Sequence, residues 1–291
     1  MQPPVEGGVL AEILDGGQAF RWLRGTDGIW TGVWAGNIAR LRQTSASGLQ
    51  WSAPAALAPA VRAALVHYLN AAPDAGDLAD ALPWRSDDHL ARCMAAFPGL
   101  RLLRQPFGET LLCFLCSPTK QIVQIKQMVA LLAERHGAPL ASEDADARAR
   151  NDQPARHRLP TWGELARVSE SALRACRLGF RAGHIHRTAQ FLADRPGWME
   201  HTETAPYAEA RERLCLLPGV GEKVADCVLL FGAGRLEAFP VDVWILRAMS
   251  RHYHLSGWKP AQIAQFGRAH FGRFAGLAQQ YLFAWERQNR V

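Results

Sequence analysis

Nowhere in this chain of 291 residues do apolar side chains run unbroken for the ~18 positions that a membrane-spanning helix needs. The opening Met1-Gln-Pro-Pro-Val-Glu-Gly-Gly8 also lacks the basic stretch and apolar run of a secretory leader. From these absences we expect a protein that stays inside the cell, in the cytoplasm or nucleoid if its source is bacterial, with no membrane partner. Cysteine is scarce and unclustered. Its six residues, Cys93, Cys113, Cys116, Cys176, Cys215 and Cys227, are scattered through apolar segments, as free thiols are in a reducing compartment. Cys113-Phe-Leu-Cys116 has redox or metal spacing, but no second pair accompanies it, so a zinc site or disulfide framework is not indicated. No internal repeat or low-complexity tract appears. Nor do acidic residues dominate: 33 Lys and Arg stand against 27 Asp and Glu, a formal charge of +6, which favours a polyanionic partner only weakly.

What is present is enough to build a substantial core, with 48% hydrophobic and 21% charged residues. The chain changes character near residue 85. Phe20-Arg-Trp-Leu23, Ile29-Trp-Thr-Gly-Val-Trp34 and Ile38-Ala-Arg-Leu-Arg42 are β-rich and aromatic, and are separated by Gly25-Thr-Asp-Gly28 and Ala35-Gly-Asn37. They read as antiparallel strands, with Trp30 and Trp34 as sheet or core aromatics. An Ala-rich helix around Val61–Asn70 and a turn over Pro73–Asp77 follow, after which helical spacing dominates, as in Ile122, Ile125, Val129 and Leu132. The expected class is α+β: an N-terminal antiparallel-sheet lobe with helices over residues 1–86, then an all-α lobe over residues 87–291. Residues 142–158 carry no apolar periodicity and read as an exposed loop. Its Arg148, Arg150, Arg156 and Arg158 fit a solvated mixed-charge segment better than a site.

The most telling stretch is Leu216-Leu-Pro-Gly-Val-Gly-Glu-Lys-Val-Ala-Asp-Cys227. Pro218, Gly219 and Gly221 make a turn that opens directly into a helix, so that backbone N–H groups converge where a phosphate can sit. The region 215–231 therefore reads as a helix–hairpin–helix, a motif for sequence-independent contact with a nucleic-acid backbone. Alone it would also fit an ordinary Gly-rich helix start with a solvated Lys. Nineteen positions after Lys223 stands Asp242, behind Pro240 at the entry to another helix. Asp242 reads either as a helix cap or as a carboxylate facing the same cleft as Lys223, and the two roles are compatible. An amine partly removed from water beside a helix N-terminus can attack in its free form, and a nearby carboxylate would stabilise positive charge developing on a sugar.

With these residues together, the chain resembles the 8-oxoguanine DNA glycosylase/lyase family of the helix–hairpin–helix superfamily with a Gly/Pro…Asp loop. Gly17-Gln-Ala-Phe-Arg-Trp22, Arg101-Leu-Leu-Arg-Gln105 before Phe114-Leu-Cys-Ser117, Leu178-Gly-Phe-Arg-Ala182, Gly276-Leu-Ala-Gln279 and Leu282-Phe283 extend the likeness over most of the chain in the family's order. The resemblance implies a base-excision repair enzyme that flips an oxidised purine out of duplex DNA. Lys223 would then attack C1′, and a Schiff base would permit β-elimination. It also implies a base pocket of the Gly17 carbonyl, Gln279, Cys227 and Phe283, although Cys227 and Phe283 alone would pass for core. Phe180 resembles the aromatic wedge at the opened base pair, with Arg181 beside it. The carbonyls of Cys215, Leu217 and Val220 match positions that hold a weakly bound monovalent cation, and no organic cofactor is implied. A monomer acting on double-stranded DNA is expected.

Three positions depart from the family pattern. Thr119 replaces an Asn, Gln124 replaces an Arg that reads the orphaned cytosine, and Trp244 stands where a His usually lies near the lesion's phosphate. Only Arg181 of the cytosine-reading set matches, so preference for cytosine should weaken, because Gln lacks the cationic fork. Two other classes fit parts of the pattern. A non-catalytic helix–hairpin–helix module would not need Lys223 with Asp242, Gln279 and Phe283. A same-fold glycosylase for alkylated purines typically has no Lys in the hairpin. The iron–sulfur branch is disfavoured because the C-terminus has no Cys cluster.

Overall fold

The computed structural model describes residues 8–44, 48–55, 57–71, 78–140 and 157–289. Four short strands, β1 (Trp22–Arg24), β2 (Trp30–Trp34), β3 (Asn37–Gln43) and β4 (Leu49–Ser52), form an antiparallel meander in the order β1-β2-β3-β4. The register pairs Trp22 with Gly32, whose missing side chain leaves room for the indole, and sets Trp30 opposite Leu41 and Leu41 opposite Trp51. That face packs on helix α2 (Ala58–Tyr68): Trp22 stacks on Trp34 at 5.8 Å and donates its indole N–H to the Tyr68 hydroxyl at 3.1 Å. The expected strands are present. The fourth was not foreseen, since its Leu49-Gln-Trp-Ser is mostly exposed and shows no buried alternation. Pro73–Asp77 and residues 142–156 lie outside the described residues. Of the loop's arginines, Arg158 is described, and it pairs at 2.6 Å with Glu164.

A second unforeseen element, α1 (Gly8–Asp15), decides where the site's first residue lies. Leu10, Ile13 and Leu14 bury one face of it. Its polar side reaches into the helical lobe, where Glu12 accepts from Arg287 and Gln288 and Asp15 pairs with Lys126 at 2.7 Å. Gly17 follows immediately. The next residue, Gln18, accepts from the Leu103 N–H at 2.9 Å, donates to the Arg101 carbonyl at 2.9 Å, and offers its own carbonyl to Gln105 at 2.7 Å. The two distant motifs Gly17–Trp22 and Arg101–Gln105 thus meet physically.

The helical lobe comprises α3 (Asp88–Ala96), α4 (Phe107–Leu115), α5 (Ile122–His136), α6 (Trp162–Leu165), α7 (Glu170–Leu173), α8 (Arg181–Ala193), α9 (Trp198–Thr204), α10 (Tyr207–Cys215), α11 (Glu222–Val228), α12 (Val243–His252), α13 (Pro260–Phe271) and α14 (Ala275–Gln288). Helix α4 is buried nearly all round, by Phe107, Leu111, Leu112, Cys113, Phe114 and Leu115, and forms the hub. Each such large side chain contributes about 1.5–3 kcal/mol on leaving water. Burial pushes the Cys113 and Cys116 thiols up, Cys116 to about 12, so neither offers a thiolate.

Two π-turns, Arg174–Leu178 and Leu229–Ala233, interrupt the helices. In the first, Arg177 at φ 63° and Gly179 at φ 58° are left-handed. That double break sends Phe180 out to solvent, where it is 53% exposed.

Candidate active site

The hairpin forms as expected: α10, a turn over residues 216–221, then α11. The turn is closed by Leu217 N–H to the Leu214 carbonyl and Val220 N–H to the Leu217 carbonyl. Its two glycines do different things. Gly219 has φ +81°, and a Cβ there would lie 2.3 Å from His184 Nδ1, so only glycine lets α8 close against the turn. Gly221 is extended at the N-cap of α11, and a Cβ there would meet nothing, so its space opens outward.

Because α11 begins at Glu222, Lys223 lies in its first turn and points back toward the end of α4. Its amine donates to Ser117 Oγ at 3.5 Å, lies 5.3 Å from the Phe114 ring centroid, and hydrogen-bonds the Cys227 thiol one turn on. Burial pushes the Cys227 thiol up to about 12 although Lys223 opposes the shift, so Cys227 is a neutral, apolar contact.

Asp242 caps α12, its Oδ1 accepting from the Trp244 and Ile245 N–H groups at 3.0 Å each. Both bonds fall on one oxygen, which leaves Oδ2 outside the cap. Burial raises the carboxyl above the usual aspartate range, against the pull of those N–H groups and of Lys223. That pull makes the Lys223 amine an electrostatic neighbour of the carboxyl. Both readings of Asp242, cap and cleft carboxylate, are therefore physically available at once.

The pocket residues converge on the same region. A Cβ on Gly17 would lie 3.6 Å from the Phe283 ring and 3.3 Å from Ile122, so Gly17 abuts Phe283. Gln279, 4% exposed, donates through Nε2 to the Pro240 carbonyl at 3.1 Å, two residues before Asp242. Its Oε1 is buried with no partner among the described residues. A buried acceptor without a donor is costly unless a ligand supplies one.

On the side of the opposite strand the predicted set divides: Thr119 and Gln124 are exposed, whereas Arg181 is turned inward. Arg181 is 2% exposed, and its guanidinium donates to the Leu178 and Pro118 carbonyls and to Thr119 Oγ1. Gln124 turns its Oε1 back to cap the Gln121 N–H at 3.2 Å. Thr119 sits at φ +58°, an unusual conformation for a β-branched residue. Trp244 carries the Arg247 guanidinium 5.1 Å above its ring. Sequence reading missed Ser117 and Phe114 as neighbours of the amine; the one available signal was the helix stop at Cys116-Ser-Pro-Thr119.

The chain is similar to known proteins along most of its length. Residues 4–111 match the model for the 8-oxoguanine DNA glycosylase N-terminal domain, and residues 121–269 match that for HhH-GPD superfamily base excision DNA repair proteins. An N-glycosylase/DNA lyase OGG1 from Arabidopsis thaliana is 30% identical over 283 residues, covering 93% of this chain and 75% of that protein. An N-glycosylase/DNA lyase from Saccharomyces cerevisiae is 34% identical over 172 residues, 55% of this chain and 44% of its own length. Among solved structures, Clostridium acetobutylicum 8-oxoguanine glycosylase/lyase, bound to double-stranded DNA with cytosine opposite 8-oxoG, superposes with a TM-score of 0.86. It is 28% identical, and the match covers 98% of this chain and 93% of that one.

Proposed function

The chain belongs to the 8-oxoguanine DNA glycosylase/lyase family, and we infer from its site that it excises 8-oxoguanine from duplex DNA and cleaves the strand at the resulting abasic site. The observation that carries this reading is the electrostatic pairing of Lys223 with Asp242, next to the Pro240 carbonyl held by Gln279, whose own amide oxygen is unsatisfied. Lys223, free of its third proton, attacks C1′ as the bond from C1′ to the base breaks and the base takes the bonding electrons. The Asp242 carboxylate stabilises the positive charge that develops on the sugar. The nitrogen gives up a proton and its lone pair closes the C=N bond as the ring oxygen leaves with the C1′–O electrons and takes up a proton. The resulting protonated imine acidifies C2′, whose proton loss sends electrons into the new double bond and expels the 3′ phosphate.

Gly17 and Gln279 read the flipped base, the one through its carbonyl and the other through its amide, while Cys227 and Phe283 hold the ring faces. Phe180 fills the gap left in the stack. The outward-opening Gly221, with Gly219, presents backbone N–H groups to phosphate, and Trp244 with Arg247 takes the place of a His at the phosphate near the lesion. The carbonyls of Cys215, Leu217 and Val220 would hold a monovalent cation, which supplies a bridge to phosphate. This neutral donor set suits a weakly held ion, and among the described residues no carboxylate, His or Cys cluster competes for a divalent one. We further propose a monomer that works where DNA is, inside the cell; among the described residues no helix is long and apolar enough to cross a membrane.

For the opposite base the reading is weak preference for cytosine, because Gln124 has no cationic fork and both Gln124 and Arg181 spend donors or acceptors within the protein.

Borohydride trapping on duplexes carrying 8-oxoguanine opposite each of the four bases tests the reading. The native chain forms a covalent complex, and Lys223→Gln forms none while still binding the lesion duplex. Undiminished trapping by Lys223→Gln would remove the nucleophile assignment.

A further inference from the structure

Two polar side chains outside the assigned chemistry connect the nucleophile to the wedge. Ser117 is 8% exposed at the end of α4. Its hydroxyl donates to the Phe114 carbonyl at 2.8 Å and receives the Lys223 amine at 3.5 Å. A hydroxyl has one proton. With that proton committed to a carbonyl, Ser117 accepts from the amine and cannot donate into its lone pair. It therefore fixes where the amine points without blocking the electron pair needed for attack.

Ser117 is held in turn by a short loop. The Lys120 N–H closes on the Ser117 carbonyl at 3.1 Å, with the left-handed Thr119 between them. Arg181 clamps that loop from the other side, bonding the Pro118 carbonyl and, at 2.9 Å, Thr119 Oγ1, while Nη1 reaches the Leu178 carbonyl at 3.2 Å. Its guanidinium also lies 4.4 Å from the ring centroid of the adjacent Phe180. An arginine 2% exposed and bonded to three backbone or hydroxyl oxygens is a brace, and swinging it out to a base edge would strip those oxygens of their donor.

Resting on the assignment of Lys223 as nucleophile, we infer that Ser117 is the positioning residue that aims the amine, and that Arg181 serves chiefly to hold Ser117's loop in place rather than to read the orphaned base. The wedge, the brace and the nucleophile form one mechanical unit: Phe180 is anchored by the residue that also fixes the turn carrying Ser117. This gives Arg181 a duty that does not depend on which base lies opposite the lesion.

The test uses the full chain with Ser117→Ala, Arg181→Met, Arg181→Lys and the double variant Ser117→Ala/Arg181→Met. Borohydride trapping rates are measured against pH on 8-oxoguanine duplexes with each opposite base, and on a single-stranded oligonucleotide with an abasic site, where no orphaned base exists. Ser117→Ala and Arg181→Met should each slow trapping about tenfold on every substrate, the single strand included. The double variant should be little slower than the worse single one. Ser117→Ala should also move the pH of half-maximal trapping downward, since the charged amine loses an acceptor, and Arg181→Lys should restore part of the rate. A loss confined to duplexes with cytosine, with the single strand unaffected, would make Arg181 a base reader and overturn the inference. So would native trapping and an unmoved pH profile in Ser117→Ala. Should Arg181→Met fail to fold by circular dichroism, Ser117→Ala and Arg181→Lys carry the decision. Trapping by Lys223→Gln would instead sink the underlying reading, a different result from any of these.

Discussion

Around Lys223 and Asp242, each on the first turn or cap of a helix, part of the hydrogen-bonding capacity is left open: Gln279 Oε1, beside the loop that leads into Asp242, is buried with no partner among the described residues. Around Arg181, on the far side of Ser117, most of the capacity is spent, on the Pro118 and Leu178 carbonyls, on Thr119 and, through Gln124, on the Gln121 N–H, and Arg181 Nε alone of its guanidinium nitrogens is buried with no partner among the described residues. The first region is arranged for a molecule that has yet to arrive, and the second for the protein's own stability. Groups preorganised for a transition state hold unmet interactions in the free protein, and the raised carboxyl of Asp242 is the sign of that cost. The difference teaches that chemistry at the lesion is built in, while recognition across the opened pair is not.

The largest effect that would break this contrast lies at Asp242. Asp242→Asn should slow single-turnover excision by at least ~100-fold, the loss expected when one preorganised charge leaves a transition state. Stability should not fall with it, because Asn caps a helix about as well as Asp. The sign follows from the raised carboxyl: the folded protein favours the protonated form, so stability is lost as pH rises through the folded value, and the Asn variant escapes that loss. Thermal melts at neutral pH should show the variant no less stable than the native chain. In the native chain, the acid limb of excision should lie above the 3.8 of an ordinary aspartate, since the ionised form is the active one. A native excision rate in the Asn variant would reduce Asp242 to a cap and erase the contrast.

Gln279→Ala and Phe283→Ala come next and sharpen it. Each should slow excision of 8-oxoguanine by about tenfold or more, from loss of one base-edge hydrogen bond or one stacking face. Trapping on a preformed abasic site should be nearly unaffected, because no base remains to be read. If both variants excise at the native rate, the lesion has been misassigned although the nucleophile stands.

Much of the lesion side was legible because its geometry is local. Pro218 and Gly219 set the turn, the N-cap at Gly221 places Lys223 in the first helical turn, and Asp242 behind Pro240 announces its own cap. Such signals act over two or three residues. The strands around Trp22, Trp30 and Leu41 were legible for the same reason, whereas α1 is only eight residues long and β4 is largely exposed. The contacts that remained hidden are long-range. Lys223 meets Ser117 across 106 positions, and Arg181 meets Pro118 across 63. No pattern along the chain encodes these pairings; they follow from how α8 and α11 pack on α4. Family resemblance supplied Arg181 as a residue of interest, but the inward direction of its guanidinium depends on the π-turn before it, which periodicity did not disclose.

The smallest expected effect tests the opposite-strand side directly. Gln124→Arg would return a cationic fork to α5, and one good bidentate base contact is worth ~1–3 kcal/mol of discrimination. The gain should fall near the lower end, about fivefold in the ratio of single-turnover rates opposite cytosine and adenine, because Arg181 is held by Pro118 and cannot complete the pair. The substitution also removes the cap on the Gln121 N–H and sets a positive charge at the start of α5, where the helix dipole opposes it. A small drop in melting temperature should therefore accompany the gain. Adding Thr119→Asn should recover stability, since Asn adopts the left-handed conformation at φ +58° more readily than a β-branched residue. Its amide oxygen can still accept from Arg181, so the brace survives. If the unmodified chain already prefers cytosine as strongly as the Gln124→Arg variant, Lys120, exposed on the same loop, becomes the first candidate reader.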